Sequence, residues 1–167
     1  VPMLQPETAV RVREIWLEKF KDHHNVIPGT LAAEEYNAFM ANSAACPMFL
    51  LPVPRDGGYF NLVWQVQGHR VVVQRLESFQ TNADVIDMGL VLFSELLDTH
   101  KMALLHAEIH TLLLTKEEGA KIVKFVREAY ADPKVWEWVK KFNQHPRDFD
   151  FGEFLRELRP LERWHSM

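Results

Sequence analysis

Residues 46–75 read Cys46-Pro-Met-Phe-Leu-Leu-Pro-Val-Pro-Arg55-Asp-Gly-Gly-Tyr-Phe60-Asn-Leu-Val-Trp-Gln65-Val-Gln-Gly-His-Arg70-Val-Val-Val-Gln-Arg75, and this stretch decides the fold class. From Tyr59 to Val66, Phe60, Leu62, Trp64 and Val66 alternate with Tyr59, Asn61, Val63 and Gln65, the period-2 pattern of a strand with one deeply apolar face. Asp56-Gly57-Gly58 supplies a turn before it and Gln67-Gly68-His69 one after it, so three consecutive strands should pair as antiparallel hairpins. Pro52 and Pro54 lack the N–H that a central ladder needs, which places the first of these strands at a sheet edge. Further along, Asp84 to Phe93 and Lys101 to Ile109 are two more strand candidates, separated by the polar stretch Ser94 to His100. Residues 46–110 therefore predict an antiparallel sheet of about five strands.

The flanks have helical period. Between Glu7 and Lys21, Val12, Ile15, Trp16 and Phe20 form one apolar stripe, and Asp22-His23-His24-Asn25 ends the helix, with the imidazoles placed to meet its exposed carbonyls. Pro28-Gly29-Thr30 reads as a turn whose Thr30 caps a second helix, Leu31 to Ala44. After the sheet, Thr115-Lys116-Glu117-Glu118 is a capping box ahead of Ile122, Val126 and Ala129. Pro133 opens a turn carrying Val135, Trp138, Val139 and Phe142, and Asp150 caps a last helix with Phe151, Phe154, Leu155 and Leu158. The expectation is one α+β domain over residues 1–167, helical at 7–44 and 115–160, with the helices packed on one face of the sheet.

Composition narrows the function classes. The chain of 167 residues carries a net charge of −4, which argues against a nucleic-acid or anionic-membrane surface. Seven glycines are spaced so that neither G-x-G-x-x-G nor G-x-x-x-x-G-K-[ST] can be drawn, which removes the usual nucleotide-cradling loops. No apolar run approaches the roughly 20 residues that span a bilayer, so a soluble protein without membrane insertion is expected. Cys46 stands alone, as a small buried hydrophobe rather than a nucleophile, and a reducing compartment follows. No cofactor is implied.

One constellation points to chemistry. In a strand, His106, Glu108 and His110 project from one face, and two imidazoles with a carboxylate are plausible zinc or iron ligands, which gives the alternative of a small metal-dependent enzyme. Against it, Leu105, Ala107 and Ile109 look like the core face, leaving the polar three toward solvent or a partner. Trp136 lies on the helical face opposite Val135, Trp138 and Val139, either as an exposed partner anchor or packed against the C-terminal segment.

The proline block from Cys46 to Arg55, followed by Gly58-Tyr59-Phe60 and Gln65, resembles the signature of the mitochondrial ATP synthase F1 complex assembly factor 1 family. Ile15-Trp16-Leu17-Glu18, Ser94-Glu95-Leu96, Leu104 through Glu108, Phe142-Asn143, Pro146 and Phe149-Asp150-Phe151 follow in the family's order, spanning roughly residues 15–155. The chain departs from the family pattern at Leu92-Phe93, at His106-Ala107 and at Ala129.

The resemblance implies a chaperone of the mitochondrial matrix, monomeric when free, its targeting segment upstream of Val1. It would hold the free catalytic β subunit of the F1 sector until β pairs with α, a task that needs an apolar patch and no active site. The edge from Pro52 through Pro54 and Arg55 to Tyr59 is the first expected docking site, and Phe93 with Glu95 at another strand end is the second. Trp136 is a further candidate. Reversing the charge of Arg55 is expected to weaken capture without lowering the melting temperature.

Overall fold

The sheet has six strands. The computed structural model describes residues 1–167 and begins with a 3-10 turn at Pro2–Leu4, helix α1 (Ala9–Lys19), strand β1 (Val26–Ala32) and helix α2 (Ala33–Ala45). There follow β2 (Met48–Arg55), β3 (Gly58–Gln67), β4 (Arg70–Arg75), α3 (Leu76–Gln80), β5 (Met88–Phe93), α4 (Leu97–His100) and β6 (Met102–Ile109). The chain ends in α5 (Lys116–Ala129), α6 (Pro133–Gln144), a 3-10 turn at Pro146–Asp148, α7 (Phe151–Glu157) and α8 (Pro160–Ser166). The order across the sheet is β1-β6-β5-β4-β3-β2, and every neighbouring pair is antiparallel. The five strands read from the sequence are thus an uninterrupted meander in an α+β fold.

The sixth strand replaces the expected turn at Pro28-Gly29-Thr30. Val26–Ala32 pairs with β6, and α2 starts after Ala32, which has no capping side chain, rather than after Thr30. Ile27 and Leu31 are buried and alternate toward the core, so the free edge of β6 outweighs the local turn chemistry. Pro28 is tolerated because β1 is an edge strand. Two further boundaries shift: the strand expected from Asp84 begins only at Met88, and Pro160 starts a helix beyond the last expected one.

The hairpin turns follow their chemistry. Asp56 and Gly57 both adopt positive φ (48° and 78°), as a two-residue type I′ connection requires, and Gly68 takes positive φ (64°) in the next turn.

Helices cover both faces of the sheet, where one was expected. Phe49, Leu51, Leu62, Trp64, Val71, Leu90, Leu105 and Ala107 face the main core, against α2, α5, α6, α7 and α8. Amphipathic α1 lies on the other face, where Val12, Trp16 and Phe20 bury Val26, Leu96 and Leu104 in a smaller cluster. The Trp16 indole N–H also donates to the Leu105 carbonyl at 2.9 Å. The outer face is further covered at β3 and β4 by α3, and Val63 is buried there.

Candidate partner-binding surface

Alternation fixes which backbone groups each edge strand turns outward. In β2 the Pro47 carbonyl accepts from Val66, so Met48, Leu50, Pro52 and Pro54 turn their backbone groups away from β3. Both prolines therefore sit where an outward N–H would otherwise be free. Met48 is closed by Asn143, whose Oδ1 accepts the Met48 N–H at 3.1 Å while its Nδ2 donates to the Met48 carbonyl at 2.6 Å. A side-chain amide here imitates a neighbouring strand, so this edge resists further pairing.

Three of the four docking residues expected on that edge, Pro52, Pro54 and Arg55, are engaged within the fold. Pro52 is buried and Pro54 half-buried. Arg55 donates to Glu118 Oε2 at 2.7 Å and to the Leu113 carbonyl at 3.1 Å, with its guanidinium 5.1 Å from the centre of the Phe60 ring. It ties the hairpin to α5. Arg55→Glu is accordingly expected to destabilise the protein by about 1–3 kcal/mol, since it puts two carboxylates together and orphans a carbonyl. A urea melt checks this, and restoration by the swap Arg55→Glu with Glu118→Arg would locate the effect in the pair. These contacts replace the expectation of an unchanged melting temperature with one of a lowered one.

Among the remaining candidates, Phe93 is half-buried against Trp16, ring centres 5.9 Å apart. Trp136 is half-buried, 6.0 Å from the Tyr130 ring and 5.9 Å from Lys140 Nζ. Glu95 and Tyr59 face solvent, and Tyr59 leans on Phe151 at 6.2 Å.

His106, Glu108 and His110 do alternate on the outer face. His106 meets Phe20 edge-on at 5.1 Å, while Glu108 and His110 are exposed, and no three His, Cys, Asp or Glu side chains are grouped to hold a metal ion. Cys46 is fully buried, and burial pushes its thiol pKa up, away from the thiolate that a nucleophile needs. The carbonyls at the end of α1 are taken by the Lys116 ammonium, 3.0 Å from Phe20 O and 2.8 Å from His23 O, rather than by the expected imidazoles. No helix is long and apolar enough to cross a membrane.

Not legible in the sequence is a set of exposed apolar side chains that lie at one end of the sheet. Five of the seven large hydrophobic residues left exposed are Tyr59, Phe79, Val85, Ile86 and Leu112. They come from three separate connections: the start of β3, the β4–β5 segment including α3, and the β6–α5 loop. The registers Arg55 to Gly58, Val73 to Met88 and Met88 to Ile109 put all three at the same end of the sheet. Hydrogen bonds hold the segment in place: Gln74 Nε2 donates to the Val85 carbonyl at 2.9 Å, and the His110 N–H to the Asp87 carbonyl at 2.8 Å. Next to Ile86, a shallow groove of about 320 Å³ runs over Val72, Gly89 and Val91 on the outer face. Asp56, Glu77 and Asp84 are exposed around this end and enter no ion pair, giving the patch an acidic rim. The only sequence signal was a few apolar residues inside otherwise polar connections.

Comparison with known proteins gives the chain a family. A Danio rerio protein named ATP synthase mitochondrial F1 complex assembly factor 1 is 22% identical over 160 residues, covering 93% of this chain and 53% of that protein. The chain thus spans about half the length of the curated relative it matches. The family model described as ATP11 protein matches residues 1–155, from the first turn through α1, the whole sheet and into α7, and the chain belongs to the ATP11 protein family.

Proposed function

We propose that this protein is an assembly chaperone of the mitochondrial ATP synthase, binding the free catalytic β subunit of F1 in the matrix until β pairs with α. Family membership and the name of the relative support the assembly role. The observation on this molecule that carries the reading is the gathering of Tyr59, Phe79, Val85, Ile86 and Leu112 at one end of the sheet. A subunit of an obligate complex, before assembly, exposes an interface resembling a core cut in half, and such a surface self-associates unless it is covered. An apolar patch with a polar rim can cover it, and competition from the true neighbour can release it. No step of this requires catalysis. The acidic rim suits a partner surface fringed by lysine or arginine. Of the residues first singled out, Tyr59 is the one that joins this patch. Glu95 is exposed at the opposite end of the sheet, and Phe93 and Trp136 serve internal packing.

The test is capture of separately expressed F1 β subunit, with F1 α subunit as the comparison. The parent protein should retain β and not α. Phe79→Glu with Ile86→Glu should weaken retention by about 10-fold or more, the loss expected when interface anchors become charges. Phe79 is 37% exposed and Ile86 47%, so Ile86→Glu alone, expected to weaken retention at an unchanged melting temperature, separates a lost contact from a lost fold. Retention of β by the double variant at parental strength would remove the patch from the interface.

A further inference from the structure

The two edges of the sheet are protected differently, and the difference points to a second mode of contact. We propose that the outer edge of β1 receives an extended polypeptide segment of the F1 subunit that the protein assists, paired through the Pro28 carbonyl and the Thr30 N–H. The identity of that subunit rests on the function proposed above. The Asn25 carbonyl accepts from Ile109, and the Ala33 N–H donates to the Lys101 carbonyl. Odd-numbered residues of β1 therefore face β6, and Val26, Pro28, Thr30 and Ala32 turn their backbone groups outward. Closure is partial. The Val26 N–H donates to the His23 carbonyl at 3.4 Å, and the Thr30 carbonyl accepts from Arg127 at 2.9 Å. Between these stops the Val26 and Pro28 carbonyls and the Thr30 N–H have no partner in the fold. A carbonyl at one position and an N–H two residues on is what one residue of an added strand satisfies with its own N–H and C=O.

The space in front of this window fits such a segment. A groove of about 690 Å³ lies between β1 and α5, with Ile27, Gly29, Ala120 and Val123 as its apolar lining. The charges on its wall are largely satisfied: Arg127 holds Glu35 through two bonds of 2.7 Å, and Arg163 faces both Glu128 and Asp132. Lys124 is exposed on the wall with no ion pair, so the segment that fits best carries an acidic side chain beside an apolar one. By contrast, β2 carries Asn143 on Met48 and prolines at 52 and 54, which leaves Leu50 as its one residue with an outward N–H unpaired. An open pair within a groove, on a sheet whose other edge is interrupted by two prolines and a side-chain amide, marks β1 as the receiving edge. Its two stops limit pairing to a short segment and prevent runaway stacking of copies.

Amide hydrogen exchange of the parent, with and without isolated F1 β subunit, reads the window directly. Pairing should slow exchange at Thr30 by about 10-fold or more. Thr30→Pro removes the free N–H without costing the fold a hydrogen bond, and Ala120→Arg fills the groove from an exposed position. Each should weaken capture of β by about 10-fold at an unchanged melting temperature. Capture of β with Thr30 exchange unaltered, or at full strength by both variants, overturns the pairing and leaves the assembly role standing. Failure of the parent to capture β overturns both. Should Thr30→Pro fold poorly, exchange in the parent and capture by Ala120→Arg decide.

Discussion

Trp64→Ala lowers the stability by about 3–5 kcal/mol, the loss expected for emptying a fully buried large aromatic site. Trp64 has no exposed surface, and its ring lies 5.5 Å from Phe49 and 5.9 Å from Phe125, edge-on to both. Phe49 in turn touches Phe142, Phe149 and Phe154, so one residue of β3 supports rings from β2, α5, α6 and α7. The indole N–H also donates to the Tyr130 hydroxyl at 3.1 Å, and that hydroxyl donates to the Cys46 carbonyl at 2.9 Å. Burial raises the pKa of the Tyr130 phenol well above its ordinary value, so it remains a neutral donor across the physiological range. The relay joins β3 to the ends of α5 and α2. Trp64→Phe keeps most of the ring and loses the indole donor, for a smaller loss of about 1–2 kcal/mol. Urea denaturation followed by near-ultraviolet dichroism separates the two variants. A Trp64→Ala protein within about 1 kcal/mol of the parent would mean that the aromatic cluster repacks around the gap.

That core was legible because local and global signals agree in it. The alternation of Phe60 to Val66 and the positive-φ demand met by Asp56-Gly57 point to the same hairpin, as do the Thr115 and Asp150 caps to their helices. Where they disagree, the tertiary signal wins. Pro28-Gly29-Thr30 has turn chemistry, yet the free edge of β6 and the inward Ile27 and Leu31 make it a strand, which no local window contains. Gly119 belongs to the same contact: a Cβ there would lie 2.7 Å from Ile27 Cδ1 and 2.8 Å from Ile109 Cγ2, so its absence lets α5 settle onto β1 and β6. Arg55 looked available because its partner Glu118 is 63 residues away. The patch was illegible for a related reason: whether Val85 and Ile86 start a strand or stand free in solvent depends on where β5 meets β4, which the sheet decides.

Asp87 holds that patch in shape, and Asp87→Ala is expected to cost about 2–4 kcal/mol, because it leaves a part-buried N–H without its acceptor and a guanidinium without its counter-charge. The carboxylate is 2% exposed. Its Oδ2 accepts the Arg75 N–H at 2.8 Å and lies 3.6 Å from Arg75 Nε, a buried atom with no hydrogen-bond partner of its own. Arg75 ends β4 and starts α3, which carries Phe79, while Asp87 directly follows Val85 and Ile86. One side chain therefore joins the two halves of the β4–β5 connection. Asp87→Asn keeps an oxygen for the Arg75 N–H and gives up the charge, so its cost should be about half that of the alanine variant. Urea melts should rank parent, asparagine and alanine in that order. At a temperature where all three are folded, capture of isolated F1 β subunit should follow the same ranking, although residue 87 itself is buried away from any partner. An alanine variant as stable as the parent would dismiss the clamp. Equal losses for both variants would assign the clamp to charge rather than to the hydrogen bond.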